Sequence, residues 1–267
     1  MKRQTGMIEE IYLRKLGLVL PLAPVIETLR LIHVAHLSAF TFDNLEIQRG
    51  GTIRLDPESL VQGFLSRGGG YCFEHNTVLA TVLRELGFEV RVLLGRAGPR
   101  ETRALNHMLL RVDVGGEPWI ADTGFGGEGL LEPIPLRENV RVAQGGIEYT
   151  FHRDEHHWTL MMHYGERSEF LYEFADAPHT MGDIEIANYY TATHDSSIFR
   201  RTLTIQRSTG LERIILRPSV VTRYIDGART DTAIDPSQLR ALALELFGIE
   251  LGETPLLFES ARPADKG

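Results

Sequence analysis

The hydrophobic period of the chain changes at Phe88, and that change sets the architecture. Before it, apolar residues recur at helical spacing and predict helices over 8–16, 24–37, 56–65 and 72–86. Asp56-Pro57 gives the third of these an N-cap and a first residue without an N–H to satisfy, and Gly87 follows the fourth as its C′ residue. After Phe88, short runs separated by glycine-rich turns predict strands over 88–94, 106–114, 119–122, 141–142, 147–151, 157–164 and 168–174, the pattern of a β-barrel or sandwich. From about residue 188 the order is a short helix, strands over 202–206, 212–216 and 220–225, and a helix that Asp235-Pro236 opens and Gly248 closes. The expected fold is α+β and multidomain: residues 1–87 a helical bundle, 88–187 a β-barrel, 188–267 an α/β unit.

Charge and cysteine usage exclude several functions. With 28 Lys and Arg against 36 Asp and Glu, the formal net charge is −8, which argues against nucleic-acid binding, since phosphate contacts need clustered cations. One cysteine excludes an intrachain disulfide and a multi-cysteine zinc site, and a free thiol suits a reducing compartment. The most apolar stretch, Leu16 to Leu22, is far shorter than the roughly 20 residues of a membrane span, and no apolar signal core follows Lys2-Arg3, so a cytoplasmic protein is expected. His33 and His36 are spaced for a shared metal, but no third ligand stands near them in the sequence. His152, His156 and His157 read as an exposed hairpin tip, and no metal is expected at either place. Gly124, Gly126 and Gly129 match a dinucleotide-binding spacing, but Pro133 and Pro135 forbid the helix that must follow.

The single cysteine lies in Arg67-Gly68-Gly69-Gly70-Tyr71-Cys72-Phe73-Glu74-His75-Asn76, between a glycine-rich turn and an apolar helix. At a helix N-terminus the partial positive charge favours thiolate, the nucleophilic form. The alternative is a buried structural cysteine. A base is offered by His107, at the start of a strand that turns at Gly115-Gly116 and returns through Trp119-Ile120-Ala121-Asp122. A two- or four-residue loop puts Asp122 and His107 on one face of the hairpin, and a three- or five-residue loop separates them. Taken singly, His107 can be a satisfied core histidine and Asp122 a turn cap. On one face, Asp122 can orient the imidazole and the imidazole can take the thiol proton.

Five ordered segments carry a resemblance: Phe42-Asp43-Asn44-Leu45, Gly69 to Asn76, Asn106 to Leu110, Ala121-Asp122-Thr123-Gly124-Phe125-Gly126, and Asn188-Tyr189-Tyr190-Thr191 with Ser197 and Phe199. From about Tyr12 to Arg207 the chain resembles the arylamine N-acetyltransferase family, bacterial type. The resemblance implies a cysteine-protease-like triad of Cys72, His107 and Asp122, acetyl-coenzyme A (acetyl-CoA) as co-substrate, and a C-terminal unit acting as a lid over the cleft. It implies ping-pong acetylation of arylamines, hydrazines and arylhydroxylamines, with no metal and no prosthetic group. Phe42, Phe125 and Phe199 match positions that line the aryl slot, and Tyr71 beside the nucleophile joins them. The loop 98–106, basic through Arg100 and Arg103, is assigned to coenzyme A, with Arg103 and Asn106 as the contacts.

The chain also departs from the family pattern. Gly68 stands where the family has Arg, four residues before the cysteine, and Arg67 lies one position further back. Asp43 replaces a longer acid, and Thr123 follows Asp122 where Val or Ala is usual. The missing Arg and the shortened acid are expected to be two halves of one altered ion pair. Rival functions are an amide synthase using the same triad on another acyl donor, a cysteine peptidase or amidase, and a binding protein on a degenerate family scaffold.

Overall fold

The computed structural model describes residues 10–99, 104–210 and 212–260. Helices cover 10–15, Ile26–Ala39, Leu45–Gln48, Pro57–Arg67 and Cys72–Glu85. The Asp56 side chain accepts from the Ser59 N–H, and Gly87, at φ +89°, follows the Cys72–Glu85 helix, so both sequence signals mark real ends. That helix is buried on almost every side: Cys72 to Ala80, Val82 and Leu83 are all buried. A helix buried this completely lies in a core, and its buried Glu74, His75 and Asn76 each find hydrogen-bond partners. Each fully buried leucine on it, such as Leu79, contributes about 2 kcal/mol by area alone.

This helix packs against one face of a sheet of eight strands, in the order β6-β5-β4-β3-β10-β9-β8-β7. The strands are β3 (Glu89–Ala97), β4 (His107–Val114), β5 (Glu117–Ala121), β6 (Ile134–Pro135), β7 (Val142–Gln144), β8 (Ile147–Arg153), β9 (Trp158–Tyr164) and β10 (Arg167–Phe174). The barrel is nearly closed: Glu138 bridges Phe151 of β8, and Gln144 Oε1 of β7 accepts from the Leu131 and Glu132 N–H groups. Leu93, Leu109, Ile120, Tyr149, Leu160 and Tyr172 fill its interior. After Gly129 the chain enters β6 and not a helix, as Pro133 and Pro135 require.

A second sheet has the order β14-β13-β12-β11-β1-β2. Four strands are C-terminal: β11 (Ile205–Ser208), β12 (Glu212–Arg217), β13 (Val220–Ile225) and β14 (Ala228–Ala233). The other two, β1 (Thr41–Asp43) and β2 (Gly69–Gly70), come from the N-terminal third. β1 lies antiparallel to β11, with Phe42 opposite Gln206, and parallel to β2. The C-terminal sheet is thus built directly onto the turn that precedes Cys72. The Leu239–Phe247 helix packs on it through Leu239, Ala243 and Phe247.

Several elements differ from the sequence expectation. The helix placed near 188 runs over Met181–Thr193, opened by Thr180 and Asp183, which cap each other's backbone N–H groups, so the expected 187/188 boundary falls inside a helix. β14 has no hydrophobic alternation to betray it, because every one of its residues is exposed on a sheet edge. β1 and β2 are too short for any periodicity.

Candidate active site

Cys72 occupies the first position of its helix and is 1% exposed. Its Sγ lies 4.0 Å from the Asn106 carbonyl oxygen, the residue before His107. In the β4–β5 hairpin Val114 faces Glu117 and Leu110 faces Ala121, so Gly115-Gly116 is a two-residue loop and Asp122 continues the register opposite Leu109. His107 and Asp122 therefore share a face, and His107 Nε2 lies 2.7 Å from Asp122 Oδ2. The hairpin brings the base and the acid together, and the helix end presents the cysteine to the same strand start.

Asp122 is held from several sides. Its Oδ1 accepts from Asn76 Nδ2 and from the Gly124 N–H, both at 3.0 Å, and its own N–H donates to His33 Nε2 at 3.1 Å. Burial opposes its charge, but the neighbouring His107 and these donors outweigh burial and hold the carboxyl below the usual range. An ionised Asp122 can only accept, so His107 carries its proton on Nε2 and leaves the Nδ1 lone pair free. For Cys72 the balance runs the other way. Burial pushes the thiol up, the charges of Asp122 and Glu74 add to it, and the Met108 and Phe73 N–H groups oppose it. Desolvation thus works against the pull of the helix N-terminus on the thiol. Ionisation needs an acceptor for the proton.

Asn76 is the residue that sequence reasoning left without a role. One turn after Cys72, it donates to the Met108 carbonyl at 2.6 Å and accepts from the Thr123 N–H at 3.2 Å, besides holding Asp122. It ties the cysteine helix to both strands of the hairpin, and its i+4 spacing from Cys72 was the available signal. Gly124 is required by contact: a Cβ there would stand 2.7 Å from Cys72 Cα.

The turn before Cys72 corrects the expected ion pair. Gly68, at φ +80°, is the left-handed cap of the Pro57–Arg67 helix. Arg67 pairs with buried Glu74, not with Asp43, and Glu74 Oε2 accepts from the Tyr71 N–H at 3.1 Å. Asp43 instead accepts from the Leu45 N–H and the Thr41 hydroxyl. Arg67 thus reaches the nucleophile turn from one position further back than the family residue.

His33 and His36 do not share a partner. His33 Nε2 accepts from Asp122, so its Nδ1 donates to the Leu131 carbonyl. Tyr12 donates to His36 Nδ1, His36 Nε2 donates to His75 Nδ1 at 2.7 Å, and His75 Nε2 donates to the Thr41 carbonyl. All are neutral: burial pushes His33 and His75 down to about 4 and His36 lower still. Each such histidine stabilises the fold above its ordinary value of 6.5, and that contribution is lost as pH falls toward 4, roughly 3 kcal/mol apiece. Glu74, pushed up to about 7 by burial, has the opposite sign, since falling pH relieves its desolvation. Asp43, also raised by burial, shares the sign of Glu74, and three histidines against these two acids leave a net loss. The urea midpoint is expected to drop steeply between pH 7 and pH 4.5, and a flat or rising midpoint would contradict the neutral state of these buried histidines.

The aromatic candidates gather around this centre. Phe125 meets the His107 ring edge-on at 5.2 Å, Phe42 lies 6.1 Å from Phe199, and Tyr71 lies 5.7 Å from Phe199. Phe199 is held by its carbonyl, which accepts from Asn44 and Gln48. The Tyr71 hydroxyl donates to Asn188 on the Met181–Thr193 helix. Phe42, Phe125 and Asp122 line one narrow cavity of about 10 Å³, room for roughly one water. Asn106 spends its amide on the Ala97 N–H and carbonyl, at 2.8 and 3.0 Å, and so braces the loop before His107. Arg100 and Arg103 lie outside the described residues. Among the described residues no helix is long and apolar enough to cross a membrane.

A model of the N-acetyltransferase family matches residues 25–256. The chain is 33% identical over 248 residues to an arylamine N-acetyltransferase / N-hydroxyarylamine O-acetyltransferase of Salmonella typhimurium, covering 90% of this chain and 88% of that protein. It is 34% identical over 254 residues to an arylamine N-acetyltransferase of Mycolicibacterium smegmatis, covering 91% and 92%. Among solved structures, the Salmonella typhimurium enzyme superposes with a TM-score of 0.83 at 32% identity, covering 91% of each chain. The Mycobacterium marinum arylamine N-acetyltransferase in complex with CoA superposes with a TM-score of 0.84 at 27% identity, covering 91% of this chain and 94% of that one. Matched in sequence along nearly its whole length and in the course of its backbone, the chain belongs to the arylamine N-acetyltransferase family.

Proposed function

We propose that this protein transfers acetyl groups from acetyl-CoA to arylamines and hydrazines, and to the oxygen of arylhydroxylamines, through an acetyl thioester on Cys72. The observation that carries the reading is the 2.7 Å contact between His107 and Asp122, set against the buried helix end that presents Cys72. His107 Nδ1 takes the thiol proton, and the buried imidazolium is stabilised by Asp122. The sulfur attacks the thioester carbonyl, and the oxyanion meets backbone N–H groups at the helix N-terminus, where the first turn has no intrahelical acceptors. The carbon–sulfur bond to coenzyme A breaks, and coenzyme A leaves with the proton from His107. An amine then attacks the acetyl-enzyme, gives a proton to His107 and expels the Cys72 sulfur. Phe42, Phe125, Phe199 and Tyr71 form the aryl slot, in which a flat ring stacks at low entropic cost. Asn106 supports the loop beside the thioester.

One nucleophile serving two substrates in turn predicts ping-pong kinetics. Initial rates with acetyl-CoA and an arylamine varied together are expected to give parallel double-reciprocal lines. Intersecting lines would mean direct transfer in a ternary complex and would remove the acetyl-enzyme from the reading.

A further inference from the structure

We propose that His33 is a positioning residue for the triad, clamping both ends of the loop that carries Asp122 and Phe125; the inference rests on the acetyl-thioester reading above. Between β5 and β6 the chain runs from Asp122 to Leu131 without regular structure, turning at Gly126 (φ +69°) and Gly127 (φ +126°). Glycine loses more freedom on ordering than any other residue, so such a loop needs ties from outside itself. One imidazole spans its base. The Asp122 N–H donates to His33 Nε2 at 3.1 Å, and His33 Nδ1 donates to the Leu131 carbonyl at 3.0 Å. His33 is fully buried and stands on the Ile26–Ala39 helix, so the clamp is anchored outside the hairpin it holds. Leu131 is fixed from its other side as well, its N–H donating to Gln144 Oε1 at 2.8 Å.

Both ends bear on the chemistry. Asp122 Oδ2 lies 2.7 Å from His107 Nε2, so a small shift of the Asp122 backbone disturbs the contact that orients the base. Phe125, inside the loop, meets the His107 ring edge-on at 5.2 Å. His33 acts through these residues and not on the reacting atoms. Burial keeps its ring neutral, and only the tautomer with the proton on Nδ1 serves both ends. A ring protonated on both nitrogens would face the Asp122 N–H with a second donor. The alternative is that His33 is core packing, its hydrogen bonds doing no more than satisfy a buried polar ring.

The test separates the two ends. A glutamine amide reaches the place of Nε2 and an asparagine amide that of Nδ1, so His33→Gln keeps an acceptor for the Asp122 N–H and His33→Asn keeps a donor for the Leu131 carbonyl. Stopped-flow acetylation of Cys72 by acetyl-CoA is expected to be slower in both variants than in wild type, and about tenfold slower in His33→Asn than in His33→Gln, the scale of one hydrogen bond. Thermal midpoints report the packing of each variant separately. Equal acetylation rates in the two folded variants, or rates that match wild type, overturn the proposal and leave His33 as packing. Where neither variant folds, the wild-type ring still decides: long-range ¹H–¹⁵N spectra of histidine-labelled protein at pH 7 are expected to show His33 protonated on Nδ1 alone, and a ring protonated on Nε2 overturns the clamp. Wild type that gains no acetyl group on Cys72 sinks the acetyl-thioester reading itself, whereas acetylated wild type with matching variants sinks this inference alone.

Discussion

Cys72→Ala is expected to lower acetyl-CoA-dependent arylamine acetylation by on the order of 10⁴-fold or more, with the fold intact. The substitution removes one sulfur whose polar contact is a 4.0 Å approach to the Asn106 carbonyl, and alanine suits the first position of a helix. The chemistry has no substitute, since this is the only cysteine in the chain. Circular dichroism and the thermal midpoint report the fold and product formation reports the activity. A variant within tenfold of wild type would mean that the amine attacks acetyl-CoA directly.

Asp122→Asn is expected to cost about 10³–10⁴-fold in rate, the scale seen when the carboxylate of a triad becomes an amide. Asp122 Oδ1 already accepts from Asn76 and the Gly124 N–H, so an asparagine must keep its oxygen there and turn its NH₂ toward His107. His107 Nε2 then has to accept, its proton moves to Nδ1, and the lone pair that serves Cys72 is lost. The variant also loses the charge that stabilises the imidazolium. Stopped-flow acetylation by acetyl-CoA isolates the affected step. A loss below tenfold would show that the tautomer argument is wrong and that Asp122 is a turn cap.

How much of this was legible follows from the range of each interaction. The shared face of His107 and Asp122 follows from parity and a Gly-Gly loop, both local, and Val114 faces Glu117 as the shorter loop requires. The Cys72 helix was legible from its apolar spacing and Gly87. His33 is 89 residues from the Asp122 amide it receives, and no spacing rule reaches that far. The sheet that joins Phe42 to Gln206 across 164 positions was hidden for the same reason, with only three residues of strand to read. The helix N-terminus at Cys72 is visible in sequence, whereas the burial that opposes its effect on the thiol is not. Arg67 was legible as displaced, but its partner Glu74, seven residues on, shows only once the Gly68 cap turns the chain back.

The central claim is that Cys72 carries the acetyl group, and intact mass after incubation with acetyl-CoA tests it most directly. One added acetyl group is predicted, absent in Cys72→Ala and discharged when an arylamine is added. An unmodified protein, or an adduct that survives the Cys72→Ala substitution, would contradict the account.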